Sequence, residues 1–219
     1  MVCAAYWGVI QLVVAAIDCR VDAIVPSMAY NAAGRALFKV STLKAGWARI
    51  LVNVASAGRI TPRIQRAYDD TRTGSGLPNQ DDLGWFVEVG PGGLVDRIEV
   101  PTLFVQGTVD TLATLEEAVL SYTSLRARGI PTAMIWTCDG HGACLTSPGP
   151  QGVAEEATLA WLDRHLRGDT SVDTGPGFRT VDQDGTWWAG DKYPATPDRT
   201  ITARGSGTLD LMAGGGSGP

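Results

Sequence analysis

The sequence predicts an α/β fold: a parallel sheet with flanking helices, interrupted by an inserted helical cap. Three short apolar runs rich in β-branched residues, at 21–26, 100–106 and 132–137, lie next to helical stretches. Their unbroken apolarity is the pattern of strands buried on both faces, as in a sheet covered by helices. Between the first and second runs the rhythm stops, and residues 28–95 hold Gly, Trp and Arg with scattered helical patches.

Residues 6–16 are helix formers with apolar side chains on most faces, which marks a buried helix. The run at 21–26 ends in Pro26 and follows at once, as a helix leading back into a parallel sheet requires. Within 28–95, residues 45–57 and 61–68 are helical, and Thr61-Pro62 has the cap-then-proline order of a helix start. A loop is expected at 73–82, where Gly, Asn and Asp cluster. After the strand at 100–106, Gly107-Thr108-Val109-Asp110 turns into a helix at 115–128 that Gly129 closes. Glu116 and Glu117 in its first turn and Arg126 and Arg128 in its last complement the helix dipole. The strand at 132–137, a loop at 138–152 and a helix at 153–166 complete the core.

The chain therefore divides into a helix and strand at 1–27, the cap at 28–95, a second part of the core at 96–169, and a linker at 170–219. The linker is dominated by Gly, Asp, Thr and Pro; 209–211 is expected as an edge strand and 214–219 as a flexible end.

Bulk properties exclude several functions. The net charge is −5 with no Lys/Arg block, which argues against a nucleic-acid partner. No apolar stretch reaches the ~18 residues of a membrane span. The apolar N-terminus has no basic residue before Arg20, so it reads as a core helix, not a leader, and the cytoplasm is favoured. Cys3, Cys19, Cys138 and Cys144 form no CxxC pair, so a zinc knuckle is not expected. One bridge or a metal between Cys138 and Cys144 is conceivable; unpaired thiols are the expectation. No cofactor is implied, because no metal-ligand cluster and no glycine-rich phosphate loop is present.

Asp110 and His141 carry the chemical signal. Each stands in a loop just after an expected parallel strand, the end of an open α/β sheet where reacting groups gather. An acid followed one strand later by a histidine is the order of the last two members of a Ser-Asp-His triad. The imidazole takes the proton of the nucleophile, and the carboxylate fixes the tautomer and stabilises the imidazolium. Taken singly, Asp110 could be only a helix cap and His141 only a loop residue. His165, near the end of a charged helix, is given no catalytic role.

The segment Ala5-Tyr6-Trp7-Gly8-Val9-Ile10-Gln11-Leu12 resembles the nucleophile elbow Ser-Tyr-Gly-Gly-Gly-Ile-Gln-Leu of the Xaa-Pro dipeptidyl-peptidase/cocaine-esterase (CocE/NonD) family of α/β-hydrolases. Val105-Gln106-Gly107-Thr108-Val109-Asp110 resembles that family's acid loop, and Gly140-His141-Gly142 its histidine loop. Trp161-Leu162-Asp163 and Asp182-Gln183-Asp184-Gly185-Thr186-Trp187 resemble its closing helix and the link to its C-terminal β-sandwich. The resemblance implies Asp110 and His141 as acid and base and the Tyr6 N–H as an oxyanion donor. It also implies departures. Ala5 stands where the family has its serine, Trp7 and Val9 replace elbow glycines, and the family's fold extends past both ends of this chain, so a truncated member is expected.

Three functions stay open on these grounds. The first is a hydrolase of small esters or peptides, weak or inactive for want of the serine. The second is a non-catalytic binding or assembly module, which could form a homo-oligomer through an exposed sheet edge. The third is an enzyme with its nucleophile relocated to Cys3 or Ser27.

Overall fold

The computed structural model describes residues 2–39, 42–73, 76–195, 202 and 205, with backbone alone for 2–4. The expected strand at 209–211, the end at 214–219 and the Cys3 side chain lie outside the described residues.

The chain enters through β1 (Val2–Ala4) and turns at Ala5 into α1 (Tyr6–Ile17), which returns to β2 (Val25–Ser27). The inserted region follows as α2 (Ala33–Leu37), the hairpin β3 (Phe38–Lys39) and β4 (Thr42–Leu43), α3 (Ala45–Ser56), α4 (Pro62–Thr71) and α5 (Gln80–Glu88). The core resumes with β5 (Thr102–Gly107), α6 (Leu115–Ala127), β6 (Thr132–Thr137), α7 (Val153–Leu166), β7 (Phe178–Val181) and β8 (Trp187–Gly190). One sheet of order β1-β2-β5-β6-β7-β8 results, parallel except for the β7–β8 pair.

Both faces of this sheet are covered, and the strand alternation divides them. Phe104 and Met134 pack with Val9, Leu12 and Ala15 of α1 and with Ala118, Tyr122 and Leu125 of α6. Their neighbours Leu103, Val105, Ala133 and Ile135 point the other way, onto Ala157 and Trp161 of α7. That two-sided burial is why the strands read as continuous apolar runs. Fully burying each large side chain contributes roughly 1.5–3 kcal/mol.

The cap is held by polar contacts more than by a core. Thr61 caps α4 with Pro62 behind it, and the Asn79 side chain accepts from Asp82 N–H to start α5. The buried Asp82 carboxylate receives Arg63 and Arg66, fastening α5 to α4. Burial alone would raise its pKa, but the hydrogen bonds from Arg66, Arg63 and Asn79 outweigh that and hold it below the ordinary range.

Two expectations are corrected. The loop expected at 73–82 ends at Asn79, because Gln80 already begins α5. The region expected as a linker supplies β7 and β8, joined through Asp182, whose Oδ1 accepts from Asp184 and Thr186 N–H while Oδ2 accepts from Trp188 Nε1. Glu117, in the first turn of α6 as expected, is buried, and its Oε2 accepts the N–H groups of Asn31 and Ala32. Among the described residues no helix is long and apolar enough to cross a membrane.

Candidate functional site

The site lies at the carboxyl ends of β1, β5 and β6. Asp110 is buried just past β5, and its two oxygens do different work. Oδ1 accepts from the N–H groups of Leu112 and Ala113, both at 2.8 Å, which folds the turn before α6. Oδ2 lies 2.7 Å from Nδ1 of His141. One side chain therefore serves both the local turn and the contact with His141. With Nδ1 bound to the carboxylate, the imidazole orientation is fixed and Nε2 is left for another partner.

Glycines permit the approach of the two loops. A Cβ on Gly107 would overlap the Asp139 carbonyl, and one on Gly140, at φ +147°, would come within 2.7 Å of Asp110. The cap adds a second clamp. Lys44 Nζ donates to the carbonyls of Thr111 (2.7 Å) and Leu112 (3.0 Å), and Trp47 Nε1 donates to Thr111 Oγ1. The Trp47 ring also meets His141 edge-on, with centroids 5.8 Å apart. Burial, and next the charge of Lys39, push the Lys44 pKa down.

Cys138 and Cys144, expected as unpaired thiols, form a disulfide that brackets His141. Their Cα atoms are 5.3 Å apart, within bridging range, because the loop doubles back between them. Cys19 is free and exposed.

The turn from β1 to α1 is strained. Ala5 has φ 54° and ψ −123°, a conformation that L residues with a Cβ avoid and that costs on the order of 1–3 kcal/mol. Alanine at this position offers no side-chain cap in return. The surroundings impose the turn: Ala5 N–H donates to Ser27 O, and β1 pairs with β2 in parallel register. Gly8 is the crowded position, since a Cβ there would approach Ser27 O to 2.7 Å. Trp7, at 61% exposure, points outward, and Val9 joins the core, so neither needed to be glycine. Tyr6 is the first residue of α1, where a helix leaves its N–H unpaired.

Ala5, Tyr6 and His141 line one cavity of about 790 Å³ between the core and the cap. Its walls are mostly apolar, with Trp47, Leu51, Ile64, Tyr68, Trp85 and Phe86 among them. Ala5 and Met28 are the only non-glycine residues with positive φ among the described residues, and both line it. Ser27 lines a second cavity of about 510 Å³ beside Cys138 and α7, not the one that holds His141. His165 lines neither cavity; its ring lies at 54° to that of Trp161, and burial and then Arg164 lower its pKa. Among the described residues no cluster of ligating side chains could hold a metal ion.

Parallel strands under helices, an acid and a histidine on successive strand ends, and a strained strand-to-helix turn define the α/β-hydrolase fold. Solved structures agree. An aminopeptidase from a marine-sediment Thaumarchaeota archaeon superposes with a TM-score of 0.61 at 15% identity, over 89% of this chain and 39% of its own. A CocE/NonD family hydrolase from Staphylococcus aureus gives 0.57 at 15% identity, over 88% of this chain and 34% of its own. The chain thus spans well under half the length of these neighbours. It matches no protein-family model and no curated protein.

Proposed function

We propose that this chain is a member of the serine-hydrolase lineage, close to the CocE/NonD and Xaa-Pro peptidase group, whose acid–base pair and elbow backbone persist while Ala5 removes the nucleophile. In this reading Asp110 and His141 are the acid and base, and Tyr6 N–H is an oxyanion donor. Hydrolysis of small esters or peptides is then weak or absent. The observation that carries the reading is the conformation of Ala5, a strain that alanine itself does not require, on the cavity that the Asp110-bound His141 lines. Removing the nucleophile of a serine triad costs on the order of a millionfold in kcat, and what remains comes from binding and oxyanion donors.

The test is p-nitrophenyl ester hydrolysis by the natural chain, Ala5→Ser, and Ala5→Ser with His141→Ala. Negligible turnover in the first, a gain of about a hundredfold or more in the second and its loss in the third are expected, since a positioned base alone gives ~10²–10⁴. Turnover by the natural chain that vanishes with His141→Ala would instead require a nucleophile elsewhere.

An assembly role has one observation in its favour. Among the described residues β1 pairs only with β2, so its other edge is where a second copy could add a strand. Light scattering tests this: a monomer at high concentration would dismiss it.

A further inference from the structure

The large cavity carries a distribution of charge that the loss of the serine does not explain. Among the described residues, Asp and Glu are absent from its lining, and its cationic or cation-forming groups are Arg59 and His141. Arg59 is exposed and has no ion pair among them. The His141 side-chain hydrogen bond among them is through Nδ1, which leaves Nε2 for a ligand. Tyr30 also lines the cavity; burial, and then Tyr6, raise its pKa, so its hydroxyl remains a neutral donor. A ligand ammonium would find no counter-charge on such walls, whereas an anion would find donors. The remaining wall suits an aliphatic or aromatic body, and the volume falls within the range of small-molecule sites.

We propose that this cavity reversibly binds an amphipathic monocarboxylate, the acid product of an ester and not the ester itself. The inference rests on the elbow reading above. The carboxylate sits by Ala5, whose methyl leaves the space that a seryl hydroxyl would take, and accepts from Tyr6 N–H, Tyr30 O–H and protonated His141. Asp110 stabilises the imidazolium, and the tail lies among Trp47, Ile64 and Phe86. Binding involves no covalent step.

Calorimetric titration of the natural chain with decanoate, decanol and decylamine, each below its micelle concentration, tests this. Decanoate is expected to bind about tenfold or more tighter than decanol, because a charge-assisted hydrogen bond outweighs a neutral one. Decylamine is expected not to bind. His141→Gln and Tyr30→Phe should each weaken decanoate by about tenfold, with decanol unchanged. Ala48→Trp, which fills the cavity, should abolish binding of both. Equal affinity for decanoate and decanol, no decanoate binding by the folded natural chain, or no change in His141→Gln would each overturn the proposal. Ester hydrolysis by Ala5→Ser without decanoate binding would keep the elbow reading and reject the carboxylate. Decanoate binding sensitive to His141→Gln, with Ala5→Ser still silent, would do the reverse.

Discussion

The two halves of the candidate site are built in different ways. At the loops that carry Asp110 and His141, backbone and side chains both make specific contacts. Gly107 and Gly140 allow contact, Asp110 spends one oxygen on the turn and one on His141, and Lys44 and Trp47 clamp from the cap. At the turn from β1 to α1 the backbone alone is distinctive: Ala5 is strained, Gly8 lies against Ser27, and the Ala5 side chain offers no polar atom. The difference teaches that strand pairing and close packing can hold a strained turn without help from its side chain.

The comparison breaks first where the loops meet. Gly107→Ala would drive a methyl into the Asp139 carbonyl and should cost about 3 kcal/mol or more, read as a fall in the urea midpoint. Gly46→Ala, in open space on α3, should be neutral or slightly stabilising in the same assay. Removing the bridge with Cys144→Ser should cost about 2 kcal/mol by the loop-entropy relation and loosen the segment that holds His141. Amide hydrogen exchange at 139–143 would report it, and unchanged protection there would separate the bridge from the site.

The junction of cap and core makes a pH-dependent contribution. Burial raises the Glu117 pKa despite the Asn31 and Ala32 N–H groups and Arg35, so the folded chain holds this proton more tightly than the unfolded one. Stability from this carboxyl is full below the ordinary glutamate range and falls as pH rises through its raised folded pKa. Glu117→Gln should flatten that decline in thermal unfolding scans; an unchanged slope would assign it to other groups. A smaller loss of stability is expected at the clamp, where Lys44→Met gives up two hydrogen bonds to the carbonyls of Thr111 and Leu112 and should cost about 1 kcal/mol.

Much of the core was legible because its strands are buried on both faces and its helices end on clear signals: β6 and α7 fall where expected, and β5 within two residues. That Asp110 and His141 would meet was legible because both follow neighbouring strands of one parallel sheet, and Oδ2 lies 2.7 Å from Nδ1. Strands β7 and β8 were not, since each is four residues long and set among turn formers. The Asp182-Gln183-Asp184-Gly185 turn was the signal available for that hairpin. Nor were Lys44, Trp47 and Tyr30 legible as site residues. They reach it from the cap and its entrance, and contacts between distant segments leave no local pattern. The disulfide was hidden for a related reason: a six-residue separation fits a bridge only once the loop is known to double back.

The most direct measurement of the central claim is the rate of p-nitrophenyl ester hydrolysis by Ala5→Ser beside the natural chain. Hydrolysis that appears with the serine and disappears on adding His141→Ala is the result this account predicts. A folded Ala5→Ser protein no faster than the natural chain would contradict it, and would mean that the strained turn and the Asp110–His141 pair do not make a working site.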